Sequence, residues 1–378
     1  MGAMVDHRVY RAAFLPALVA LMLAAFSLTD RPRPATTRVA PDAFDAARAA
    51  RTIETLAAEF GDRRPGTDGD IGVAERVARA FATTGFAAEN AVRTETVRAH
   101  TVAGRRDLRL VVAERPGLSR RRIVILAHRD ARPGAPVTTL SGTAVQLELA
   151  RVLSDRDLRS TVVLASVSGG SGGYAGARAA LDQVGGPVDT VLVLGDLASD
   201  RSRRPWVVPW ASAGEPAPHG LRRTVEVALR AETGQDPGRS RALAQWARRA
   251  VPLTVSEQGV VASEAPAVLI SATGELGPRP GDELSEGRLR TFGRAVLRAF
   301  GAVEEARPER DSADPEPAFA GGGGIIVLNR LLPDWAVRIA VLALLLPAFV
   351  GAVDAFFRVR RRRVDGARWP SGRAARSP

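Results

Sequence analysis

Short apolar, β-branched runs that alternate with helix-period segments between residues 42 and 302 most limit what this chain can fold into. Leu108 to Val112, Ile123 to Leu126, Val162 to Ala165, Val191 to Leu194 and Val268 to Ile270 have the composition of strands covered on both faces. Phe44 to Phe60, Ile71 to Phe86 and Leu284 to Phe300 repeat apolar residues every three or four positions and predict helices. This order predicts an α/β domain, an open, mostly parallel (mixed) sheet with helices on both faces. Functional groups of such a domain gather at the carboxyl ends of the strands.

The 378 residues contain no cysteine, which excludes disulfides and thiolate metal sites. The formal net charge is +12, and arginine supplies all 53 of the Lys and Arg residues. Eight of those arginines fall in residues 358–378, and most of the excess charge lies there. A basic tail beside an apolar run, without interleaved aromatic residues, marks membrane topology and excludes a nucleic-acid partner.

Two apolar stretches frame the α/β region. Residues 12–28 hold no charge and predict a transmembrane helix or signal anchor; Thr29 and Asp30 lead from them into RPRP, without a small-x-small cleavage site, so retention is expected. Residues 335–357 predict a second transmembrane helix with Trp335, Phe356 and Phe357 at headgroup level. The resulting order is a cytosolic N-terminus (1–11), the first span (12–28), an ectodomain (42–302), a disordered linker (303–330), the second span (335–357) and a basic cytosolic tail (358–378). Arginines flanking the spans place both termini in the cytosol and the main domain outside the cell membrane.

The strand Ile123 to Leu126 delivers His128 and Asp130, a pair in which an imidazole can meet a metal while the carboxylate holds its other nitrogen. With PGAPVTTLSGTAVQLELARVL, TVVLASVSGG, GGYAGARAAL, the strand ending in Asp196 and SEQGVVASEAPAVLIS at 256–271, the stretch from Asp42 to Phe300 resembles peptidase family 28. That family comprises co-catalytic zinc aminopeptidases and carboxypeptidase-like proteins.

The resemblance implies two metals, but the matching positions of this chain are depleted. His128 and Asp196 are retained as residual metal-site candidates, with Asp130 in support. The bridging aspartate falls on Thr138, or on Thr139 if one residue is inserted. The general base falls on Gly170, the following ligand on Ser171, and the histidine of the second metal on Gln258, after Glu257. Thr138, Ser171 and Gln258 offer neither carboxylate nor imidazole, and Gly170 has no proton acceptor, so no catalytic residue and no bound cofactor are expected. The expectation is a catalytically inactive, membrane-anchored binding or interaction module whose partners are the membrane and a protein or peptide ligand. The alternative is an exported zinc-dependent aminopeptidase in which Glu257 or Glu264 rebuilds one metal site.

The run Gly169-Gly170-Ser171-Gly172-Gly173 also matches the nucleophile turn of serine hydrolases, with Asp196 and His219 following in order. It fits a dinucleotide-binding turn with Gly170, Gly172, Ala175 and Asp196 as well. The plain reading is a strand-to-helix turn that needs small residues and whose backbone amides can hold an anion. His128 also has a plain reading, as a strand-end histidine that serves only the fold, and Asp196 as a cap of the turn formed by Leu197, Ala198 and Ser199.

Overall fold

A computed structural model describes residues 7–84, 86, 91–201, 204–237, 242–306, 319 and 323–366. They form two compact units, one from residues 31–323 and one from the two ends of the chain, 1–30 and 324–378.

In chain order the elements are α1 (His7–Phe26), α2 (Ala46–Glu59), α3 (Asp68–Ala82), β1 (Val92–Thr101), β2 (Gly104–Arg115), β3 (Ser119–His128), α4 (Ser141–Leu153), β4 (Ser160–Val167), α5 (Ala175–Asp182), β5 (Val188–Leu194), β6 (Trp206–Val208), α6 (His219–Thr233), α7 (Ala242–Ala250), α8 (Glu257–Val261), β7 (Ala267–Ser271), α9 (Glu286–Glu305), β8 (Gly324–Val327), β9 (Arg330–Pro333) and α10 (Asp334–Gly366).

Seven strands form one mixed sheet in the order β1-β2-β4-β3-β5-β7-β6. β4, β3, β5 and β7 run parallel, whereas β1, β2 and β6 are antiparallel additions at the two edges. Alternate residues of each strand point to opposite faces. Ile123, Ile125, Leu192 and Leu194 therefore pack with α2, α4 and α9 on one side, and Val124, Leu126, Val191 and Val193 pack under α5 and α8 on the other. The chain leaves β3 for β4 on one side and then returns to β5 on the other, so a crevice opens at this reversal, outside the carboxyl ends of the strands.

The helix ends follow from local chemistry. Asp45 accepts the amide of Arg48 and starts α2, and Ser285 does the same for α9 through Arg288. The strands extend the β-branched runs by one to four residues at most ends. β1, VRTETVRAHT, carries no such run: it is an edge strand of polar and charged residues held by β2.

A buried ion pair ties the end of the central strand β3 to α3. Arg129 and Asp70 are both 0% exposed and approach to 3.0 Å. The guanidinium also donates to the carbonyls of Asp70, Ser166 and Arg109. The second carboxylate oxygen of Asp70 accepts from Ser168 and from the amide of Gly66. Burial pushes the Asp70 carboxyl up against the pull of Arg129, so the pair holds only while all its partners are in place.

The unit built from the chain ends departs from the sequence expectations. Residues 303–330 are not a linker throughout: α9 continues to Glu305, and β8 pairs with β9 in an antiparallel hairpin. Residues 307–318 and 320–322 of that segment lie outside the described residues, as do 1–6 at the N-terminus and 367–378 of the basic tail. Thr29 exchanges both backbone hydrogen bonds with Leu331, so the chain after α1 adds to the hairpin beside β9. α10 begins one residue before the expected span and runs on into the basic tail as far as Gly366. Among the described residues one stretch, Asp334–Arg360, is long and apolar enough to cross a membrane; the apolar part of α1, Ala13–Phe26, is shorter.

α1 and α10 pack together. Their buried positions are alanines, Ala13, Ala17 and Ala24 against Ala336 and Ala343, while Phe14, Leu18, Leu23, Leu342, Leu345 and Phe349 are exposed. Small residues are inside this pair and large apolar residues outside, the reverse of a water-soluble helix pair.

Asp70→Ala leaves the Arg129 guanidinium buried without its counter-charge. It is expected to lower the stability of the α/β unit by about 3–5 kcal/mol, read as a lower guanidinium midpoint with an unchanged slope.

Candidate functional site

A cavity of about 530 Å3 lies outside the carboxyl ends of β3, β4 and β5, with α8 contributing part of its wall. Its lining includes His128, Asp130 and Arg132 after β3, the 170–174 turn after β4, Asp196 after β5, and Glu257 at the start of α8. The structure thus brings His128, Asp130, Ser171 and Asp196 together. Thr138 and Gln258 are buried but are not on the cavity wall; Thr139 is.

His128 meets Glu257. Its Nδ1 lies 2.7 Å from Glu257 Oε1, off the line of a regular hydrogen bond, with the Glu257 side chain 3% exposed. Burial works against a charged imidazole, but the carboxylate of Glu257, assisted by Asp130 and Asp196, outweighs it and raises the His128 pKa to about 9. The Glu257 carboxylate thus favours the protonated form of the His128 ring.

Gly170 explains why Glu257 fits there. A Cβ at position 170 would stand 2.2 Å from Glu257 Oε1 and 2.4 Å from both Cβ and Cγ of His128. No side chain enters that space without displacing the pair. The space over Gly170 is occupied instead by the carboxylate of Glu257, reaching across from α8.

Asp130 does not hold the second nitrogen of His128 as the sequence suggests. Its two oxygens accept the amides of Gly170 and Ser171, each at 2.9 Å. The turn after β4 does present amides to an anion, and that anion is Asp130 itself. The turn continues through Gly169 and Gly173, both at positive φ, to Tyr174, whose φ of 53 is in the left-handed region. The Tyr174 hydroxyl donates to the carbonyl of Val255, joining the turn to the segment before α8, and burial, then the Glu257 charge, raises its pKa to about 12.

Asp196 is 3% exposed. Its Oδ1 accepts the amides of Ala198 and Ser199, at 3.0 and 3.2 Å, and the hydroxyl of Ser141 at 3.3 Å, so it does cap its own turn. Its Oδ2 has no hydrogen-bond partner. Burial raises the carboxyl to about 6 despite those donors.

Gln258 follows Glu257 by about 100° around the helix axis, which turns it away from the cavity: its amide donates to Thr254 at 3.0 Å and to the carbonyl of Trp210 at 3.4 Å. Glu264 lies elsewhere, 3.9 Å from Arg178. His219 opens α6 and is not on the cavity wall, so Ser171, Asp196 and His219 do not assemble.

These donors do not fit a two-zinc centre. Nδ1 of His128 faces a carboxylate, Asp130 is committed to backbone amides, and Thr139 and Ser171 bring only neutral hydroxyls. Among the described residues no three His, Asp or Glu side chains converge as a metal-binding group.

No protein-family model matches the chain, and no curated protein matches its sequence. Solved structures share its fold. LapB from Legionella pneumophila superposes with a TM-score of 0.55 at 16% identity, covering 74% of this chain and 78% of that one. Glutaminyl cyclase from Porphyromonas gingivalis gives 0.51 at 18% identity, covering 68% of this chain and 98% of that one. BSAP, a zinc aminopeptidase from Bacillus subtilis, gives 0.51 at 12% identity, with 68% and 94% covered. The chain thus shares its fold with a zinc aminopeptidase and a glutaminyl cyclase.

Two outcomes are expected. An unfolded histidine releases its proton near 6.5 and the folded His128 near 9, so the pair's contribution to stability is complete below about pH 6.5 and is lost as the pH rises toward 9. Glu257→Gln should shrink this loss and move the His128 titration, followed by NMR, to lower pH, since burial is then opposed only by Asp130 and Asp196. Gly170→Ala should force the pair apart at a cost of about 1–3 kcal/mol. Glu257→Gly should restore part of that loss when combined with it, measured as a double-mutant cycle.

Proposed function

We propose that this zinc-exopeptidase-like fold belongs to a membrane-anchored, extracytoplasmic relative of peptidase family 28 that has lost peptidase chemistry and acts as a binding module. The observation that carries the reading is the filled space over Gly170. General-base catalysis contributes about 10²- to 10⁴-fold; Gly170 carries no acceptor, and the carboxylate that fills the space over it, that of Glu257, is set against Nδ1 of His128 rather than free for water.

The cavity suits the end of a peptide or protein chain. Asp196 is on its wall, and exposed Val102 and Leu276 add apolar surface to its lining. The alanine seam between α1 and α10, with large apolar residues outside it, supports anchoring in the cell membrane. The arginines after α10 support cytosolic termini and an exported ectodomain.

A second reading, an exported zinc aminopeptidase with an altered site, is favoured by one observation: Glu257 stands beside His128 in the cavity that also holds Asp196. Metal analysis of the purified full chain in detergent, paired with hydrolysis of amino-acid anilides, separates the two. The binding-module reading expects substoichiometric zinc and no turnover. Submicromolar zinc binding that is lost in His128→Ala, or turnover of an anilide, would establish the second.

A further inference from the structure

α7 is built inside out. Its sequence, ALAQWARRA, places Leu243, Trp246, Ala247 and Ala250 on one stripe, which Val251 continues at the next position. A stripe of this spacing normally faces a core. Here Leu243 is 75%, Trp246 44% and Val251 65% exposed, while the buried residue of the helix is the polar Gln245. Leu253, two residues further, adds another exposed apolar side chain. Arg248 donates to the carbonyl of Leu253 and pairs with Glu275, which fixes the turn that follows the helix.

We propose that this stripe lies on the surface of an anionic lipid bilayer. Three features select lipid over a soluble partner. By sequence, residues 238–250 contain four arginines and no acidic residue, and although Arg248 is paired with Glu275 the segment keeps a cationic surplus that complements anionic headgroups. The stripe centres on a tryptophan, whose amphipathic ring favours the headgroup region. Its residues stand out from a short helix and make a shallow apolar ridge, the shape of a helix that lies in the interface plane. The inference rests on the membrane-anchored reading above, which keeps a bilayer within reach of the domain. It adds a second, reversible attachment through the α/β unit itself. The segment from Val251 to Val255 runs directly into the wall of the cavity, so docking of the stripe would bring the cavity mouth close to the lipid surface.

The absence of cysteine allows single-cysteine nitroxide labelling of the full chain. Labels would be placed through Leu243→Cys and Val251→Cys on the stripe, Leu118→Cys on an exposed turn between β2 and β3, and Leu342→Cys on α10. The chain would be reconstituted in nanodiscs of phosphatidylcholine and phosphatidylglycerol. Collision with oxygen, which concentrates in lipid, is compared with collision with a water-soluble nickel chelate. The proposal expects the oxygen-to-chelate ratio at 243 and 251 to rise several-fold over that at 118, toward that at 342. If 243 and 251 match 118 while 342 remains lipid-like, the docking surface is refuted and the anchoring stands. If 342 is also open to the chelate, the anchoring fails with it. Low collision with both reagents at 243 and 251 would mean that protein covers the stripe, and would equally overturn the proposal.

Discussion

The contact between His128 and Glu257 governs what the cavity can do. Two charged groups placed this deep are stable only as a pair, because each alone would face the cost of leaving water. Their closeness consumes the imidazole nitrogen nearest the carboxylate and fills the volume over Gly170. The same carboxylate that a metal or a water molecule would need is neutralised by the ring beside it. With Asp130 held by two backbone amides, two of the acidic groups around the cavity are satisfied from within the protein. Asp196 is the exception, keeping one oxygen without a partner.

Much of the α/β unit was legible because burial on both faces of a parallel sheet demands runs such as Ile123 to Leu126 and Val162 to Ala165, which few other structures tolerate. β1 was not, since an edge strand paired on one side and wet on the other needs no apolar run. The β8–β9 hairpin was hidden for a different reason: glycines before it and a polar, Pro-rich stretch earlier have the composition of a spacer, and only the pairing of Ile325 and Ile326 with β9 reveals strands.

The site was legible in part. The ends of β3 and β5 had to approach each other in a sheet of this topology, so His128 and Asp196 could be placed in one crevice from order alone. Glu257 was visible as an acid next to a mapped position, but its choice over Gln258 depends on the rotation of α8, which five helical residues do not encode. The role of Asp130 turned on the backbone of a glycine-rich turn, whose amides point wherever the φ angles of Gly169, Gly173 and Tyr174 send them. Such geometry has no counterpart in residue type.

The bonds between Thr29 and Leu331 close residues 31–323 into a single loop whose two ends belong to one small unit. Joining the ends of a long loop reduces the freedom of the unfolded chain, and the penalty grows only slowly with its length. A large domain can therefore hang from a modest clasp. A single protease cut anywhere in that loop would leave one fragment carrying α1 and the other α10, so the broken halves would stay joined through the packing of these two helices and the Thr29–Leu331 bonds.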